Sequence, residues 1–176
     1  DSYRSPDLDG TVFARQVAEQ IGALEKNGTG FAALVVCPYF LNEGFPDHPD
    51  NWLQPVAETV RRAGGLLICD EVQSGFGRTG THMWAHEKMG IAPDVVTLGK
   101  PMGNGHPIGA VITTSDIADS FNSGVEFFSS FGGNPVSCAI GLEVLKVLEE
   151  EQLQQHALVV GEYYKQLMNE LSKDFT

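Results

Sequence analysis

"VVTLGKPMGNG", residues 95–105, is the stretch on which the reading of the chain turns. Its first half is an apolar, largely β-branched run with no polar alternation except Thr97, the pattern of a strand buried on both faces. Its second half sets Lys100 among three glycines with no other charge nearby. A lysine just past a strand ordinarily points to water. A desolvated lysine instead loses basicity and its neutral amine becomes a nucleophile, so Lys100 is a candidate catalytic amine. Nucleotide motifs do not account for it. The P-loop needs its lysine after the glycines and followed by Ser or Thr, whereas Pro101 follows Lys100. In "GNGHPIG" the last glycine lies one residue beyond its place in the dinucleotide fingerprint.

Outward from that stretch, apolar runs alternate with amphipathic ones. "TVFARQVAEQIGALEKNG" puts Val12, Phe13, Val17, Ile21 and Leu24 at helical spacing and stops at Asn27-Gly28. "FAALVVCPYF" and "LLICD" read as buried strands, and between them "DNWLQPVAETVRRAGG" carries Trp52, Val56 and Val60 on one helical face. "SGFGRTGTHMWAHEKMGIAPD" is a loop followed by a short helix. "GAVITT" predicts a further strand and "SDIADSF" a short helix capped by Ser115. The segment from Asn134 onward is helical, interrupted near 150–154, and its pattern is still running at Thr176. Continuous apolar strands alternating with helices define an α/β fold whose sheet is covered on both faces.

The chain has 176 residues, enough for one sizeable core, and no repeat or low-complexity tract. Its net charge of −12 disfavours nucleic acid and anionic membrane surfaces as partners, though not an anionic cofactor in a locally positive pocket. No apolar run is long enough to span a membrane, and "DSYRSPDLDG" lacks the order of a signal peptide. Cys37, Cys69 and Cys138 have no metal-ligand spacing and read as reduced core residues, which fits the cytoplasm.

In open α/β sheets, ligands sit beyond the carboxyl ends of the strands. Two strands deliver reactive groups there: "LLICDEVQ" ends in Asp70 and Glu71, and "VVTLGK" ends in Lys100. The pair suits a structural ion bridge as well as it suits pyridoxal phosphate chemistry, in which a lysine forms the Schiff base and a carboxylate keeps the pyridine nitrogen protonated. Glu71 points to the opposite face from Asp70 and reads as structural. His82 and His86 lie four apart, but "HMWAHE" is no zinc motif, and they read as packing or surface residues. No metal site is expected.

Three segments, "LLICDEVQSGFGRTG", "PDVVTLGKPMGNGHPIGAVITT" and "SSFGGNPVSCAIGLEVLKVLEEEQL", together resemble class III (ω-type) pyridoxal-phosphate-dependent aminotransferases, near the branch of phospho-lyases and alanine-glyoxylate aminotransferases. The match covers about residues 32 to 156 of a chain that corresponds to part of a full-length member. The resemblance implies an aspartate-aminotransferase-type large domain (fold type I), with a mostly parallel sheet between helices. Residues 1–140 would be the second half of that domain and 141–176 a helical link into a smaller C-terminal domain.

By position in the motifs, the resemblance implies that Lys100 is the Schiff-base lysine and proton shuttle, and that Asp70 pairs with the pyridinium. It also implies that Val72 presses on one ring face, that Gln73 bonds the phenolic oxygen and that Ser130 binds the cofactor phosphate of the opposite subunit in a homodimer. The implied reaction moves an amino group from an amine or amino acid to a keto acid or aldehyde. One alternative is a phospho-lyase acting on phosphoethanolamine or phosphohydroxylysine. A non-catalytic scaffold is another. One departure stands out: where the family commonly has Glu-Pro-x-Gln, this chain has Cys37-Pro38-Tyr39-Phe40, and Glu43 is out of register.

Overall fold

A computed structural model describes residues 9–46, 48–124 and 126–173. The expected continuation of the last helix to Thr176 and the reading of the first eight residues lie outside them. Four strands, β1 (Ala33–Val36), β2 (Leu66–Asp70), β3 (Val95–Leu98) and β4 (Ala110–Thr113), form one sheet in the order β1-β2-β3-β4. The first three are parallel and β4 runs antiparallel to β3. The helices are α1 (Gly10–Lys26), α2 (Gln54–Arg62), α3 (Ala85–Lys88), α4 (Ser115–Phe121), α5 (Pro135–Glu150) and α6 (Leu153–Ser172). The α/β class with a mostly parallel sheet is therefore the observed one.

The core lies on one face of the sheet. Ala14, Val17 and Ile21 of α1 and Val56, Ala57 and Val60 of α2 bury against Val36, Leu67 and Cys69, with Trp52, Leu53 and Met89 closing the cluster. Each fully buried Val or Leu side chain there contributes about 1.5–3 kcal/mol over leaving it in water. The α1 stripe is the one its spacing predicts. Asp9 caps the helix by accepting from the Thr11 amide at 2.8 Å.

The opposite face differs from expectation. Pairing places Val35, Ile68, Asp70, Thr97 and Val111 on it, and Val35 and Val111 are 63% and 65% exposed. Apolar strand composition predicts two covered faces, but among the described residues no helix covers this one.

Two local expectations are corrected. Helix α4 is preceded by Thr114 as its cap residue, Ser115 being the first helical residue, and no side chain bonds the cap. Cys138 is exposed, although Cys69 is buried. On α5 the residues that face inward are Ser137 and Gly141, which puts Cys138 toward water. The interruption expected near 150–154 falls at Glu151 and Gln152, where Gln152 takes φ 50° between α5 and α6.

Candidate active site

The carboxyl ends of β2 and β3 lie side by side. Asp70 is in register with Thr97, and the Glu71 amide donates to the Thr97 carbonyl at 3.0 Å. Beyond Asp70 the chain turns at once, because the Val72 amide donates to Asp70 Oδ1 at 3.0 Å. No other donor and no cation within salt-bridge distance reaches the Asp70 carboxylate among the described residues. It therefore presents an unengaged oxygen on the uncovered face of the sheet.

Beyond Thr97, β3 ends and a 3₁₀ turn begins at Lys100 (Lys100–Gly103). The Lys100 backbone has φ 22° and that of Asn104 has φ 45°. Such positive angles are costly for side-chain-bearing residues and persist where the surroundings enforce them. The Lys100 amine makes no hydrogen bond or ion pair among the described residues. It is exposed, so this chain by itself does not supply the desolvation that a nucleophilic amine needs. Just before it, a Cβ on Gly99 would stand 3.3 Å from a Val72 methyl. Val72 thus packs against the approach to Lys100, which brings the "DEVQ" and "LGK" segments together.

Gln73 sits beside them but is engaged elsewhere, donating to Asn42 Oδ1 at 3.1 Å. It lines a pocket of about 400 Å³ with Tyr39 and Thr79. Lys100 lines a different, larger groove of about 910 Å³ with Phe76, Arg78, Asn104, His106 and Val147. Asp70 borders neither space. Ser130 is exposed in the bend before α5 and forms no hydrogen bond with Lys100 or Asp70.

Glu71 is fully buried on the core face, as the two-residue strand period predicts. What the sequence did not show is its set of donors: Ser74 Oγ at 2.5 Å, the amides of Ala85 and His86 at 3.1 and 2.8 Å, and His86 Nδ1 at 2.9 Å. Burial pushes the carboxyl up, but these bonds outweigh burial and hold it below the usual carboxylate range. Glu71 thereby ties the start of α3 to the end of β2, next to Asp70. Of the two histidines four apart, His86 is committed to Glu71 and His82 bonds Thr81 Oγ1 at 3.0 Å.

A second network went unread in the sequence. His106 Nε2 lies 2.7 Å from Ser137 Oγ, and Asn134 caps α5 by accepting from the Ser137 amide at 2.9 Å. The one available signal was Asn-Pro before a helical run, the pattern of a capped start.

Residues 7–175 match the family described as aminotransferase class-III, and the chain belongs to that family. It is 46% identical over 97% of its length to the alanine-glyoxylate aminotransferase 2-like protein of Drosophila melanogaster, covering 35% of that protein. Over 68% of its length it is 48% identical to human mitochondrial alanine-glyoxylate aminotransferase 2, covering 23% of it. Among solved structures it is similar to an Arthrobacter phospholyase in complex with phosphoethanolamine. That match has a TM-score of 0.85 and 42% identity over 95% of this chain and 40% of that one. The chain thus spans about a third of the length of its curated relatives, and its fold is part of a fold type I large domain.

Proposed function

We propose that this chain carries the catalytic lysine of a pyridoxal-phosphate-dependent class III aminotransferase, which moves an amino group from an amine or amino acid to a keto acid or aldehyde. What supports this is the placement at adjacent strand ends: Asp70, whose carboxylate keeps one oxygen open, closes β2 in register with Thr97, and Lys100, whose amine is uncommitted among the described residues, begins the turn after β3. The cofactor, when bound, supplies an electron sink for the carbon next to the amine. With it bound, Lys100 would be the residue that holds it covalently and carries the proton at that carbon, and Asp70 would be the partner of its ring nitrogen. Val72 would lie against the ring, and Gln73 would bond its phenolic oxygen on giving up its Asn42 partner. Ser130 would hold the phosphate of the partner subunit's site.

The same reading gives a homodimer with shared sites. Residues 1–140 belong to the second half of the cofactor-binding domain, and 141–176 lead toward the C-terminal one. No described helix is long and apolar enough to cross a membrane. The human relative is mitochondrial, so the expectation of a cytoplasmic protein broadens to either of these reducing compartments.

A phospho-lyase acting on a phosphorylated amine is the second reading. It is favoured by the likeness to the Arthrobacter phospholyase, which was solved with phosphoethanolamine. Incubating the complete protein with phosphoethanolamine, and separately with alanine plus glyoxylate, separates the two. Amino transfer without phosphate release supports the aminotransferase; phosphate release without an acceptor supports the lyase. A borohydride-reducible adduct on a lysine other than Lys100 would overturn both.

A further inference from the structure

The glycine-rich segment after Lys100 and the loop that carries Ser130 are joined by one continuous hydrogen-bonded path. The His106 amide donates to the carbonyl of Gly103, the last residue of the 3₁₀ turn that Lys100 begins, at 2.9 Å. The His106 ring meets Ser137 Oγ at 2.7 Å. Asn134 Nδ2 also donates to Ser137 Oγ, at 2.8 Å, and its other hydrogen goes to the Phe131 carbonyl at 2.7 Å. Phe131 follows Ser130 directly. Ser137 is buried, with 8% exposure, so its hydroxyl has little access to water as a substitute partner. Packing reinforces the same link, since a Cβ on Gly141 of α5 would stand 3.5 Å from Ile108, and a Cβ on Gly103 would stand 2.7 Å from the same side chain.

We propose that His106 is a positioning residue that, through Ser137 and Asn134, fixes the Lys100 turn and the Ser130 loop relative to each other. The inference rests on the reading above, in which both segments contact the cofactor. Because Ser130 serves the partner's site there, a single side chain holds the amine of one site and the phosphate contact of the other. His106 lines the groove with Lys100, yet its ring is spent on Ser137, which marks it as a brace.

The test uses the complete apo-protein titrated with pyridoxal phosphate, with affinity read from the visible spectrum and fold from thermal melting. The variants are His106→Ala, Ser137→Ala, the double variant and His106→Gln. Loss of the His106–Ser137 bond predicts cofactor binding roughly five- to tenfold weaker in His106→Ala, and at least as weak in Ser137→Ala, which also loses the Asn134 bond to the hydroxyl. The double variant should be no weaker than the worse single, because both remove one shared interaction. His106→Gln, which keeps a side-chain nitrogen near the Nε2 position, should bind within about twofold of the parent by the same reasoning. Unchanged affinity in both alanine variants, additive losses in the double, or a glutamine variant as weak as alanine would each overturn the proposal. Ser137→Ala deletes only a hydroxyl and reports even if His106→Ala melts early. A parent with no reducible adduct on Lys100 would sink the underlying reading instead, which keeps the two failures apart.

Discussion

The Val72 amide donates to one oxygen of the Asp70 carboxylate at 3.0 Å and leaves the other without a donor among the described residues. An asparagine can still accept that bond, so Asp70→Asn should melt with the parent. A neutral amide cannot hold a pyridinium, whose attraction to a carboxylate ~4 Å away is about 4 kcal/mol at an effective dielectric of 20. We expect cofactor to be retained and turnover in the complete protein to fall by about three orders of magnitude. Near-normal kcat in Asp70→Asn would remove Asp70 from the chemistry.

Glu71 should govern acid stability. Its folded carboxyl lies below the usual range, so its contribution is complete above the unfolded value of about 4.3 and is lost as pH falls through the folded one. Glu71→Gln leaves donors facing an amide and should cost about 3 kcal/mol near neutrality, the lower end for breaking a buried charged network. Urea midpoints between pH 3 and 7 check both points: the parent should weaken on the acid side and the variant should show a flatter profile.

Thiol labelling should rank the cysteines. Burial first, and then the neighbouring charges of Glu71 and Cys37, push the Cys69 thiol up to about 12, so it should resist alkylation until the chain unfolds. Exposed Cys138 should label in the native state. Peptide mapping after iodoacetamide reads the order, and rapid native labelling of Cys69 would contradict the burial described.

Gly80 has φ 74°, and a Cβ there would stand 2.7 Å from backbone atoms of Leu158 in α6. Gly80→Ala therefore combines a left-handed backbone with a clash that no side-chain rotation relieves. We expect a loss of about 2 kcal/mol or more. Gly22→Ala, with open space around it, should be neutral or slightly stabilising in the same melt.

Mixing complete Lys100→Ala and Ser130→Ala chains tests the shared site. If Ser130 acts in the partner's site, the mixed dimer regains one working site from two impaired parents. Activity no higher than that of the parents would place Ser130 in its own chain's site or outside the chemistry.

Much of this was legible in the sequence where a residue's neighbours are local. The period of a strand separates Asp70 from Glu71, and the helical stripe of Val17 and Ile21 marks the α1 core. The change of pattern near Gln152 locates the break between α5 and α6. What escaped depends on residues brought from afar. Nothing near Glu71 announces that Ala85 and His86 will meet it, and nothing near His106 points to Ser137. The face bearing Val35 and Val111 shows another limit: an apolar pattern records a demand for burial and does not name the element that meets it.

The sheet's spatial order repeats its chain order, and this has a consequence for how it assembles. Ala33 finds Leu66, Ile68 finds Val95, and Leu98 finds Ala110, so each pairing among the described strands joins neighbours in the chain, the longest loop running from Ala33 to Leu66 and the shortest from Leu98 to Ala110. Closure entropy grows only slowly over such lengths, and short-range topology favours rapid formation. As the polypeptide emerges from a ribosome, each strand meets its neighbour already in place. The pairing of β1 with β2, which carries Asp70 at its end, thus needs nothing from the segment that carries Lys100.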